Sequence, residues 1–296
     1  MTDGGLGRLG YRSPPMAALT DVGGVPNDAQ ARLDAHEFWY HTIDVAPGVT
    51  TPGWFDLRHS LDLVPFPDVR GKRCLDIGTF DGFYAFEMER RGAAEVVAVD
   101  VEDHEEWDWP ADARKGGPLA QRDPGMSGPP KGAGFRLIKE LIGSKVDWRV
   151  CNIYDLTPEK LGTFDVVVCG TLLLHLQNPI KALEAVRSVT DGVFFSSEQI
   201  EVWLTVVGRG RPLAKLRGTG PTCQWWLYNS AAHQQMLFSA GFEVMEKSPL
   251  FLNRLNVHPK SPRTPRTLPS LLVRKALTRD PHQGVLHRAL LAKPRL

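Results

Sequence analysis

The chain has 296 residues, 42% of them hydrophobic and 23% charged, with a formal net charge of +1. That length supports one large domain with a full core, or two small ones. The near-zero charge gives no overall field to draw in nucleic acid or a membrane surface, and no run approaches the ~18 uninterrupted apolar residues of a membrane span.

The opening "MTDGGLGRLGYRSPP" lacks the continuous apolar stretch of a secretory signal. Residues 1–26, rich in Gly and Pro, read as a mobile segment. "PNDAQARLDAHEFWY" (26–40) predicts a helix capped by Asn27, followed by an aromatic loop over 39–58. The core is expected to begin near Leu61, leaving residues 1–60 as an N-terminal extension and aromatic lid.

Strand-like runs follow at 73–78, 95–100, 146–152, 164–170, 191–197, 242–252 and 284–294. Helices fit between them at 82–91, 135–142, 179–189 and 229–240. Asn178 with Pro179 marks one helix start. Asn229 marks another, which Gly241 ends. Strands alternating with helices imply a parallel sheet with helices on both faces. Two stretches interrupt the pattern: 103–134 reads as a loop insertion, and 253–282 as a basic insertion before the last strand. The cysteines, Cys74, Cys151, Cys169 and Cys223, have no CxxC spacing; three lie in strand-like runs as small apolar residues, which fits a reduced, cytoplasmic protein.

The most regular stretch is "RCLDIGTFDGFYAFEMERRGAAEVVAVD", strand, glycine turn, helix, strand, ending on an acid. This is a nucleotide-binding layout. Two carboxylates, Asp76 and Asp81, flank the turn, where they would repel a pyrophosphate and favour a cationic ligand. S-adenosylmethionine, with an ammonium, a sulfonium and no phosphate, suits such a turn better than NAD. Asp100, at the end of the second strand, is placed to accept both hydroxyls of a ribose. Val101 beside it can pack on an adenine face. Asn152, with Asp155 as the alternative, and the Ile153 backbone N–H are candidates for the adenine edge.

These residues resemble the class I S-adenosylmethionine-dependent methyltransferases. "LDIGTFDG" is similar to their glycine motif, "VVAVD" to their ribose-binding strand end, and "FDVVVCGTLLLHLQNP" to their fourth strand and the turn after it. The "WYHTID…TPGWFDLR" head and "GTFDGFYAFEMERRGA" resemble a subgroup described as tRNA (5-methoxyuridine-34) methyltransferase-like. The resemblance implies a Rossmann-like, α/β, seven-stranded, mostly parallel sheet with an antiparallel last strand. It implies S-adenosyl-L-methionine as cofactor, held by Asp76, Gly78, Thr79, Gly82, Asp100, Val101, Asn152, Ile153, Gly170 and Thr171. The chain departs from the family at Phe80, where a glycine is usual, and at Asn152, where an acid is.

His175 follows the fourth strand and is the candidate base. The preferred reading is a residue that hydrogen-bonds the backbone and shapes its turn, since displacement at a sulfonium needs alignment more than proton transfer. Tyr40, Trp54, Trp225 and Trp226 are candidates for the walls of an acceptor pocket, or for core. The acids of "EDHEEWDW" (102–109) read as a solvated loop, so no metal is expected. The expected activity is methyl transfer to an O or N atom of a small-molecule acceptor. The alternatives are a tRNA wobble-uridine methyltransferase, for which the basic 253–282 segment would have to bind RNA, and a sensor or partner subunit that binds the cofactor without turnover. No DNA and no membrane partner are expected.

Overall fold

A computed structural model describes residues 28–114, 130–220, 223–257, 264–265 and 267–295. The expected mobile segment 1–26, the Asn27 cap and part of each insertion lie outside these residues.

A nine-stranded sheet organises the chain. Its strands are β1 (Phe55–Asp56), β2 (Arg73–Ile77), β3 (Glu95–Asp100), β4 (Asp147–Val150), β5 (Phe164–Gly170), β6 (Thr190–Gln199), β7 (Phe242–Lys247), β8 (Phe251–Leu255) and β9 (Gly284–Pro294). The parallel strands run in the order β4-β3-β2-β5-β6. The last strand, β9, pairs antiparallel with β6. Both β7 and β8 pair with the outer edge of β9, on successive halves of it. The run read as one strand over 242–252 is therefore two, broken where the Ser248 hydroxyl accepts from Ala289 N–H at 3.0 Å. Across that break the sheet still has the expected seven positions, and β1 adds an eighth at the edge of β8.

Among the described residues there are eight helices: α1 (Ala29–Asp34), α2 (Phe83–Arg90), α3 (Ala133–Ile142), α4 (Pro158–Leu161), α5 (Pro179–Ser188), α6 (Val202–Gly208), α7 (Ser230–Ser239) and α8 (Leu268–Thr278). Two-residue alternation divides the strands between two cores. Leu75, Ile77, Val97, Val99, Val167 and Phe194 face α4, α5 and α7. Cys74, Val96, Ala98, Val166, Val168 and Phe195 face α1, α2 and α3. Caps act where the sequence places them: Asn178 Oδ1 accepts from Lys181 N–H, and Asn229 Oδ1 from Ala232 N–H.

The 39–58 segment is built into the second core rather than laid over it. Leu33, Trp39, Ile43, Val45 and Leu57 pack with Phe83 and Phe135. Trp39 Nε1–H donates to Leu33 O at 2.8 Å, and β1 belongs to the sheet. The boundary expected at 60/61 thus cuts through the core. The basic 253–282 segment also departs from a plain loop. It holds the end of β8 and all of α8, and Arg254 pairs with Asp280 at 3.0 Å.

Candidate functional site

The carboxyl ends of β2, β3 and β5 open into one cavity. Gly78, Asp100, Val101, Asn152, Ile153, Gly170, Thr171 and His175 all line it. So do Tyr40 and Trp54 from the N-terminal segment.

Three residues expected at the ligand lie elsewhere. Asp76 shares a sheet face with Cys74 and turns toward α2, where its Oδ2 accepts from Ala85 N–H at 3.1 Å. It caps a helix whose own N-cap, Gly82, has no side chain. Burial pushes its carboxyl up to about 7. Gly82 is needed for packing: at φ +94° a Cβ there would stand 2.4 Å from Phe86 and 2.6 Å from Phe135. Thr79 is buried in the turn. Asp81, the second flanking carboxylate, accepts Tyr40 and His41 N–H at 2.7 and 2.9 Å and so fastens the N-terminal segment to the turn. Neither acid faces the cavity, and the electrostatic preference for a cation read from them does not apply. Trp225 and Trp226 also lie off the cavity lining. Their indoles donate to Asp108 O and Gln177 O, which ties the 214–228 hairpin to neighbouring turns.

The glycine turn leaves little for a phosphate. Gly78 N–H and Thr79 N–H both donate to Val99 O, Gly82 N–H donates to Thr79 O, and Phe80 N–H goes to Asp100 Oδ2 at 3.0 Å. With these donors engaged, the turn from Gly78 to Phe80 offers a pyrophosphate no free backbone amide. Asp100, Glu106 and Asp108 are the acids among the described residues that line the cavity, so the run expected to be a solvated loop forms part of its wall; of the three, Asp100 is the one at the end of β3. Its carboxylate also accepts Val101 N–H at 2.8 Å and Lys131 Nζ at 2.6 Å. Lys131 comes from the 103–134 insertion, and its ammonium sits 5.0 Å from the Phe80 ring and 4.7 Å from the Trp107 ring.

Phe80 takes the left-handed backbone at φ +50° and Thr171 does so at φ +55°. Such conformations cost non-glycine residues ~1–3 kcal/mol and concentrate at functional sites. The departure from the family glycine at Phe80 keeps the glycine's conformation and adds a ring to the cavity wall, 5.3 Å from Tyr40. Thr171 is held by its hydroxyl, 3.1 Å from His287 Nε2, and by its N–H on Ser197 O.

His175 Nδ1 stands 2.8 Å from Cys223 O. A carbonyl only accepts, so the proton is on Nδ1, and Nε2 carries a lone pair. Burial lowers this imidazole to about 4, against the Cys223 bond and with a further push from Lys131. The ring is neutral at ordinary pH. Glu198, buried at the end of β6, fixes the turn before it: Oε1 accepts Leu172 and Leu173 N–H at 3.2 and 3.3 Å, and Oε2 accepts the Tyr228 hydroxyl at 2.9 Å. Among the described residues no three His, Cys, Asp or Glu side chains converge as a metal site. In the 102–109 run, Asp108 accepts the Tyr154 hydroxyl and Gln177 N–H, each at 2.6 Å.

Lys131, His41, Trp107 and Glu198 were not singled out from the sequence. Lys131 stands between prolines and glycine in "PPKGAGF", which reads as plain loop. Glu198 offers a signal in hindsight, an acid closing the apolar run "VFFSSE".

A family model described as a methyltransferase domain matches residues 55–247. The chain belongs to the methyltransferase domain family. Its nine-stranded sheet carries the Rossmann-like class I methyltransferase order, elaborated at one edge. One relative of this methyltransferase domain is a tRNA U34 carboxymethyltransferase of Ectopseudomonas mendocina (strain ymp), 26% identical over 188 residues, or 61% of this chain and 48% of that protein. Another is a ubiquinone biosynthesis O-methyltransferase of Dechloromonas aromatica (strain RCB), 28% identical over 183 residues, or 58% of this chain and 64% of that protein. The chain thus spans about half the length of the first and under two thirds of the second. Among solved structures, the N-terminal domain of EvdMO1, solved with SAH bound, shares the fold at a TM-score of 0.52 and 14% identity, covering 91% of this chain and 96% of that one.

Proposed function

We propose that this protein is an S-adenosylmethionine-dependent methyltransferase acting on an O or N atom of a small, flat acceptor. The observation that carries the reading is one cavity holding Asp100 against two backbone N–H groups, the lone pair of His175 Nε2, and walls of Tyr40, Trp54, Phe80 and Trp107. The donor set suits the cofactor: a fixed carboxylate for a ribose diol, Val101 and Ile153 for the adenine faces, and Asn152 for its edge. When bound, S-adenosylmethionine supplies an electrophilic methyl group whose leaving thioether is neutral. Asp100 orients the diol. The aromatic walls align the acceptor and keep bulk water out. His175 Nε2 takes the proton of the attacking hydroxyl or amine, while Cys223 O holds the ring in the accepting tautomer.

The basic 253–282 segment gives little support to an RNA acceptor. Of its described basic residues, Arg254 is paired with Asp280 and Arg274 donates to Gly284 O at 3.1 Å, which leaves Lys275 and Arg279. The test is to incubate the purified protein with methyl-labelled S-adenosylmethionine and a cell extract, then fractionate the label. Label in a small molecule, unaffected by RNase, supports the reading. Label that RNase abolishes assigns the tRNA alternative, and no labelled product with tight cofactor binding assigns a sensor.

A further inference from the structure

Beyond the main cavity, at Gly170 and Thr171, a second, smaller cavity continues under the N-terminal segment. Tyr40, His41, Gly170 and Thr171 line both. Strand register explains its floor. Asn253 pairs with Val285, and Gln199 with His287, so all four side chains point to one face of the sheet. Phe55, on the neighbouring strand and bridged to His41, closes that face from the edge.

This floor is polar where the surrounding core is apolar. Both ring nitrogens of His287 are engaged, one with Thr171 Oγ1 and one with Val285 O. The others are not. Neither ring nitrogen of His41 makes a hydrogen bond, and its Nδ1 stays 3.9 Å from Asp81 Oδ2. Asn253 Oδ1 is buried without a partner. The half-buried Gln199 amide and Tyr40 hydroxyl line the same cavity. Buried polar groups are nearly always paired, so two unpaired ones, His41 Nδ1 and Asn253 Oδ1, in one cavity mark a place where a ligand supplies the partners. Both imidazoles are held neutral by burial, His41 at about 3 and His287 at about 4. No carboxylate or ammonium lines this cavity, and an ionic group entering it would find no countercharge.

We infer that this cavity is an acceptor subsite for a neutral, polyhydroxylated group, a sugar or cyclitol ring, recognised by His41, Gln199 and Asn253. The inference rests on the proposed function, since the ring is the part of the acceptor lying past the methyl-transfer point. Carboxamide and imidazole side chains pair with hydroxyls as both donors and acceptors, which is how uncharged polyols are held.

Saturation-transfer NMR on the full chain tests it, with methyl α-D-glucopyranoside as probe, its uronate as the charged control, and S-adenosylhomocysteine present throughout. The glucoside is expected to receive saturation in the wild type and the uronate none. In Asn253→Leu and in Gln199→Leu the glucoside signal is expected to fall at least tenfold, while calorimetric affinity for S-adenosylhomocysteine stays within twofold and so reports intact folding. Bound S-adenosylhomocysteine with no glucoside signal, equal signals in the variants, or equal uptake of the uronate would each overturn the subsite alone. No binding of S-adenosylhomocysteine would overturn the cofactor reading, and the subsite with it.

Discussion

Lys131 Nζ lies 2.6 Å from Asp100 Oδ1, with the two side chains only 6% and 5% exposed. A buried pair of this kind is costly to break by removing one partner, ~3–5 kcal/mol, because the other charge is left uncompensated. It also stands where a ribose diol would have to bind, so ligand binding at Asp100 and the Lys131 contact compete for the same oxygen. Lys131→Met is therefore expected to lower the stability of the free protein by about 3 kcal/mol. Saturating S-adenosylhomocysteine should narrow that gap, since the diol supplies the missing donors. Thermal unfolding of both proteins, with and without ligand, checks this; an equal loss in both conditions would mean that the diol does not reach Asp100.

His175 gives a prediction about pH. Its imidazole is lowered to about 4 by burial, so the accepting form persists from high pH down to about 4. An unperturbed histidine base would lose activity as pH falls through ~6.5. Here kcat is expected to be flat between pH 5.5 and 7, with the acceptor recovered from the extract assay. His175→Ala should lower kcat by about 10²-fold and leave cofactor affinity unchanged. An acid limb centred near 6.5 that disappears in the variant would contradict the assigned burial, and an unchanged kcat would leave His175 as a turn-shaping residue.

Glu198 tests how the His175 turn is held. Truncation to Ala leaves two backbone N–H groups and the Tyr228 hydroxyl without their acceptor in a buried site. Each unsatisfied group costs ~1–3 kcal/mol, and a total near 3 kcal/mol is expected by chemical denaturation. Glu198→Gln keeps an acceptor and should recover more than half of that loss. Equal losses in the two variants would show that the carboxylate's charge, not its hydrogen bonds, is what matters.

The N-terminal segment is expected to behave as core. Trp39 is 2% exposed and donates to Leu33 O, and Trp39→Ala should cost ~3–5 kcal/mol. Amides of 39–58 should be protected from hydrogen exchange without ligand. Protection gained only on adding S-adenosylhomocysteine would restore the lid.

The parallel half of the fold was legible because β2, β3, β5 and β6 are buried on both faces and read as apolar runs separated by helical stretches. Asp100, Asn152, Ile153 and Thr171 were legible for the same reason, since each follows directly from where a strand ends. The rest depended on contacts between segments distant in sequence. Asp76 looks like a ligand acid until α2 is seen to need a cap that Gly82 cannot provide. Lys131 is loop-like until the insertion folds back on Asp100. The two-residue β1 has no periodicity to read, and α8 is masked by the prolines and basic residues around it. Trp39, Tyr40 and Trp54 look alike in sequence, yet Trp39 is core while Tyr40 and Trp54 line the cavity, a division set by Asp81 gripping the backbone at 40–41.

The central claim is that Asp100 anchors S-adenosylmethionine in the main cavity. Isothermal calorimetry with S-adenosylhomocysteine on the wild type and on Asp100→Ala tests it most directly. One site per chain is expected in the wild type, and an affinity at least tenfold weaker in the variant, from loss of a charged partner to two hydroxyls, ~1.5–3 kcal/mol. No binding to the wild type, or equal affinity in the two proteins, would contradict it.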